Sequence, residues 1–157
     1  MALTATSASE TLQIKRTFSA TPEQVFAAWS NPEALGKWFG PQSHTCRVDN
    51  YEFKVGGKYQ LSLIPGAEGS DCGDGENASV CAGEFVQVDA PNLIVMSFSW
   101  IENADDIGDT LLTIEIKAHA DGSELILTHE RLPDEDLRLA HMAGWESTLD
   151  GLQDFLS

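Results

Sequence analysis

From Pro133 to Ser157 the apolar residues Met142, Trp145, Leu149, Leu152 and Leu156 recur at alternating spacings of three and four. That period lays them along one stripe of a long helix. Pro133 and Asp134 suit a helix start, and Glu135 and Asp136 place negative charge at the positive end of its dipole. A second row runs beside the stripe: Leu137, His141, Gly144, Thr148, Gly151 and Phe155. A glycine inside a helix costs about 1 kcal/mol relative to alanine. This row is therefore expected either to let the helix approach a sheet closely or to leave room for a ligand, close packing being the commoner use.

Upstream, Glu10–Phe18 alternates polar and apolar residues as a first strand does. Thr21-Pro22-Glu23-Gln24 forms a capping box with proline at the first helical position, and the helix continues through Val25, Phe26 and Trp29. Asn31-Pro32-Glu33 starts a second short helix that ends near Trp38-Phe39-Gly40-Pro41. From Thr45 the period becomes two. A strand through Val48, Tyr51 and Phe53 reaches the turn pair Gly56-Gly57, and Tyr59, Leu61 and Leu63 alternate on the return. Residues 65–77 form a glycine-rich acidic loop, and residues 103–109 another. Strands are predicted at about Ala78–Val88 and Leu93–Trp100, then through Leu112, Ile114 and Ile116, and back through Leu125, Leu127 and His129 after an Asp121-Gly122 turn.

The sum is a strand, two short helices, about six strands in a meander and a long helix, with residues 1–9 as a disordered tail. An antiparallel sheet with one apolar face needs a cover, and the terminal helix has the matching stripe. The expected architecture is α+β: one domain over residues 10–157, a curved antiparallel sheet around the C-terminal helix.

Composition narrows the function more than the fold. The net charge of −16 on 157 residues argues against nucleic acid and anionic membrane surfaces. Neutral or cationic small molecules and basic protein surfaces remain as partners. No apolar run is long enough to span a bilayer and no signal peptide is apparent, so a cytoplasmic protein is expected. The three cysteines, Cys46, Cys72 and Cys81, match no zinc spacing and read as reduced thiols, a Cys72–Cys81 bridge being the lesser reading. Gly73–Ala78 matches the dinucleotide fingerprint literally, but in an acidic loop with no helix after it to hold a pyrophosphate. No cofactor and no metal is expected.

The run ATPEQVFAAWSNPEALGKWFGP (residues 20–41) resembles the opening of the START-like, or SRPBCC, superfamily. More narrowly, it is similar to bacterial relatives of the C-terminal domain of the Hsp-90 ATPase activator. VGGKYQL (55–61), GEFVQVDAPNLIVMSFSW (83–100), LILTHERLP (125–133) and AHMAGWESTLDGL (140–152) agree in order and spacing, the last carrying H-x-x-G-W as His141, Gly144 and Trp145. The resemblance implies a helix-grip fold with a cavity between sheet and helix. Superfamily members bind lipids, hormones, flavonoids or polyketides there, and some are aromatic cyclases. The eukaryotic co-chaperone carries a further N-terminal domain for which this sequence is expected to have no counterpart.

On that fold the apolar strand faces and the helix stripe converge on Tyr59, Leu61, Phe98, Trp100, Ile114, Leu127 and Trp145, with Trp38 near the mouth. They would line a pocket for a neutral hydrophobic molecule or fill a solid core. His129, His141 and Gly144 complete the candidate set. The two histidines are expected either to tie the helix to the sheet or to orient a ligand, and a cyclase would use one of them as acid–base. No nucleophile stands beside them. A chaperone-type protein partner is the alternative to a small molecule, and both a monomer and an edge-paired homodimer are open.

Overall fold

The computed structural model describes residues 11–39, 44–65, 79–102, 110–132 and 135–156. The expected tail, the acidic loop from residue 66 onward with Cys72 and the fingerprint match, the 103–109 loop and the Pro133-Asp134 helix start lie outside these residues. The elements follow the expected order: β1 (Leu12–Phe18), α1 (Pro22–Ser30), α2 (Pro32–Trp38), β2 (His44–Tyr51), β3 (Lys58–Pro65), β4 (Ser79–Asp89), β5 (Leu93–Glu102), β6 (Thr110–His119), β7 (Gly122–Glu130) and α3 (Glu135–Leu156). The strands form one antiparallel sheet in the order β1-β7-β6-β5-β4-β3-β2. The meander thus runs from β2 to β7, and β1 closes it by pairing with the last strand, Leu12 opposite His129 and Phe18 opposite Ser123.

Local chemistry sets the boundaries. Thr21 Oγ1 accepts from Gln24 N at 3.1 Å while Gln24 Oε1 accepts from Thr21 N at 2.9 Å, the reciprocal cap that the sequence foretold. Asn31 ends α1 and caps α2, its Oδ1 accepting from Glu33 N at 2.9 Å. The strand expected to continue through Phe53 ends instead at Tyr51. There the chain folds back tightly: Lys54 N donates to Glu52 O and Gly57 N to Lys54 O, both at 2.8 Å. Gly56 has φ +85°, and a Cβ on Gly57 would lie 2.0 Å from Glu52 O, so both positions of the pair require glycine.

The sheet bends at irregularities. Register shifts occur in β2 between Val48 and Asn50 and in β4 between Phe85 and Gln87; such bulges add local twist and bend. Gly83 faces the concave side opposite Tyr59 on β3. A Cβ there would meet Ser97 O at 2.0 Å and Tyr59 Cε2 at 2.9 Å. The missing side chain lets the Tyr59 ring lie close over β4, where its hydroxyl donates to Ser97 O at 2.7 Å.

α3 buries Trp145, Thr148, Leu149 and Leu152. Full burial is worth about 1.5–3 kcal/mol for each large apolar side chain. A polar clasp fixes the other flank. Arg16 on β1 reaches Glu146 Oε1 at 2.8 Å and Asp150 Oδ1 at 2.9 Å, and donates to Gln153 Oε1 at 3.3 Å. These partners recur every three to four residues, so one guanidinium grips two turns of α3. Among the described residues no helix is long and apolar enough to cross a membrane.

Candidate functional site

The concave face of the sheet presents Phe98 from β5, Leu112 and Ile114 from β6, and Leu127 and His129 from β7, all buried. Ile114 and Leu127 sit directly opposite each other in the β6–β7 ladder. Trp145 of α3 descends onto this face, its ring centroid 5.8 Å from Phe98 and 6.2 Å from His129.

A hydrogen-bonded chain links helix to sheet through the two histidines. Trp145 Nε1 donates to His129 Nδ1 at 3.1 Å, so the proton of His129 sits on Nε2. That N–H meets Thr110 Oγ1 at 2.7 Å, and the threonine hydroxyl in turn donates to Phe98 O at 2.5 Å. Every donor in this series has one acceptor. His141 has the opposite tautomer: Trp100 Nε1 donates to its Nε2 at 2.9 Å, which leaves Nδ1 to donate to Leu137 O at 2.8 Å within the helix. Burial, with a smaller contribution from the nearby His141, pushes the pKa of His129 down to about 3. His129 is therefore neutral near pH 7, as accepting from an indole requires. Both imidazoles have both nitrogens engaged, so in this arrangement they act as struts between α3 and the strands. Neither offers a free nitrogen for acid–base work. Among the described residues, no three His, Cys, Asp or Glu side chains gather as metal ligands would.

Trp38, expected near the mouth, is instead 4% exposed, and its Nε1 donates to Ala28 O at 3.0 Å. It packs edge-on against Trp29 at 4.8 Å and Phe39 at 5.6 Å, and Phe39 packs on Trp145 at 5.8 Å. This aromatic row joins the short helices to α3. Trp100 is only half-buried, at the end of the site that carries His141.

Between the row and the sheet remains a narrow apolar void of about 10 Å³. Its walls include Tyr59, Leu61 and Phe98 from the expected set, and Trp29, Phe39 and Tyr51, which sequence reasoning did not select. As bounded by the described residues, this void has room for little more than one water centre. Trp29 is 1% exposed and its Nε1 has no hydrogen-bond partner among the described residues. Such an orphaned donor costs about 1–3 kcal/mol. The other phenol in the wall is committed too, Tyr51 Oη donating to Trp29 O at 2.5 Å. A larger concavity of about 380 Å³ lies on the convex side, but it is polar, lined by Asn50, Lys58, Gln60, Glu84, Ser97 and Ser99.

Gly144 departs from the close-packing expectation. A Cβ there would meet nothing within 4 Å, so no neighbour demands glycine. Thr148 Oγ1 donates to its carbonyl at 2.8 Å one turn on. The two cysteines described, Cys46 and Cys81, are buried free thiols. Burial raises the pKa of Cys46 to about 12 and that of Cys81 further, which keeps both protonated and unreactive.

Solved structures share this architecture. A protein from Chromobacterium violaceum superposes with a TM-score of 0.78 over 93% of this chain and 96% of its own, at 25% identity. The AHSA1 protein from Silicibacter pomeroyi gives 0.76 over 92% and 95%, at 24% identity. A protein from Mycobacterium smegmatis gives 0.77 over 95% and 91%, at 18% identity. A comparison with curated proteins finds no match. With a family model matching residues 19–157, nearly the whole of the described structure, the chain belongs to the Activator of Hsp90 ATPase homolog 1-like proteins.

Proposed function

We propose that this protein binds a small, neutral, hydrophobic molecule in the space enclosed between the concave sheet and the helices that cover it. The observation that carries the reading is the void itself: a gap at the meeting point of α1, α2, β2, β3, β5 and β6, walled by Trp29, Phe39, Tyr51, Tyr59, Leu61 and Phe98. Ligand sites are apolar concavities with few polar groups. The net charge of −16 disfavours anionic ligands. Ile114, Leu127 and Trp145 pack on the same concave face outside this wall, and the His129 and His141 struts hold α3 against the strands there. Trp38 supports the wall from behind. The free thiols of Cys46 and Cys81 suit a reducing compartment, and we place the protein in the cytoplasm.

A second reading, docking of a chaperone-type protein on the outer surface, draws on the small size of the void, about 10 Å³. It also draws on Val55 and Val86, 63% and 53% exposed, which flank the hydrogen bond from Gly56 N to Phe85 O. Native mass spectrometry of gently purified protein separates the two. A reproducible added mass, lost on denaturation and reduced in Met96→Phe, which narrows the void, supports the internal site. A bare mass in both proteins, with a protein partner recovered through the Val55–Val86 surface, supports the second.

A further inference from the structure

The chain has four tryptophans, and three of them satisfy their indole N–H within the fold. Trp38 donates to Ala28 O, Trp100 to His141 Nε2 and Trp145 to His129 Nδ1. Trp29 is the exception, although it is among the most deeply buried. A phenylalanine would give the same apolar wall without an N–H stripped of water. The two phenols beside it do not serve as its acceptors, and no group on the rest of the described wall, the weakly accepting Met96 thioether included, is within hydrogen-bond reach of it. A lone water would find this one donor and, beside it, only phenol oxygens whose hydrogens are already committed to Trp29 O and Ser97 O.

We infer that the Trp29 indole N–H is the polar anchor of the internal site, and that its ligand carries a hydrogen-bond acceptor, a carbonyl oxygen above all, on an apolar body. This rests on the internal site proposed above. Ketones, enones and esters fit the chemistry: each accepts without donating, so no second unpaired donor is created in the wall. A carboxylate does not fit, since among the described residues no cation lines the void. Met96, unbranched and able to change rotamer at little cost, lies in the wall where the gap must widen.

The test uses a shape-matched pair, acetophenone and ethylbenzene, titrated into the full chain and into Trp29→Phe, with affinities from nuclear magnetic resonance. In the native protein acetophenone binds about tenfold more tightly, the worth of one well-made buried hydrogen bond. In Trp29→Phe the preference falls to about unity while ethylbenzene binding changes by less than about twofold. In the native protein acetophenone, and not ethylbenzene, also moves the Trp29 indole N–H resonance downfield, a readout independent of the variant's folding. Equal affinity of the two probes with no movement of that resonance overturns the anchor while leaving the internal site standing. A preference that survives in Trp29→Phe also overturns it. Binding of neither probe overturns the site and the anchor together.

Discussion

His129 should make the fold acid-sensitive in a calculable way. Its Nδ1 accepts from Trp145 and its Nε2 donates to Thr110, so the folded protein requires the neutral ring. The folded pKa is about 3, lowered first by burial and then by His141, against roughly 6.5 in an unfolded chain. Between these values the unfolded state binds a proton that the folded state refuses. The stabilisation is thus complete above about pH 6.5, falls as the pH drops, and is exhausted near the folded value. Each pH unit in that window removes about 1.4 kcal/mol, so acidification from pH 7 to pH 5 costs about 2 kcal/mol through this ring alone. Urea unfolding of the native protein and of His129→Gln at both pH values isolates it, because the other titrating groups are common to both. The loss on acidification should be about 2 kcal/mol smaller in the variant. Equal losses in the two proteins would refute the buried, neutral assignment and the helix-to-sheet strut built on it.

Three further perturbations follow from the geometry. Gly144→Ala should stabilise the fold by about 0.5–1 kcal/mol, since a Cβ meets nothing within 4 Å and the helix gains propensity; a drop in thermal midpoint would show a close contact instead. Gly83→Ala should cost about 3 kcal/mol or more by forcing a methyl onto Ser97 O and Tyr59; a midpoint within about 1 °C of the native value would remove the close-approach argument for Tyr59. Arg16→Met should cost about 1 kcal/mol at low salt and far less in 1 M salt, because Glu146 and Asp150 are mostly exposed partners. A gap between variant and native protein that salt leaves unchanged would assign the loss to packing rather than charge.

The fold was legible in the sequence because its signals are local. The capping box at Thr21-Gln24, the Asn31-Pro32 helix start, the period-two strands and the stripe through Trp145, Leu149 and Leu152 each act within a few residues. The overrun at Phe53 arose because alternation continues past the point where the Glu52–Gly57 backbone turns. The candidate site was legible only in part. Tyr59, Leu61 and Phe98 were found as apolar faces of strands, and their place on the void wall agrees with that. Trp38 was placed too far out, because nothing local signals that its N–H will close onto Ala28 O across the α1–α2 corner. Trp29 and Tyr51, on the void wall, and Thr110, bonded to His129, were not among the candidates. Their roles depend on pairings between distant segments, such as Thr110 with His129, that no short pattern encodes. The one available hint was the apolar face of α1, where Val25, Phe26 and Trp29 are all buried.

The most direct test of an internal hydrophobic site is a toluene titration of isotope-labelled protein, following the methyl groups of Leu61, Met96 and Leu112 and the indole of Trp29. These four lie on the void wall, whereas Val55 and Val86 are exposed on the outer surface. The account predicts saturable shifts at the four wall residues and none at the two valines. Shifts confined to Val55 and Val86, or no saturable shift at all, would contradict it.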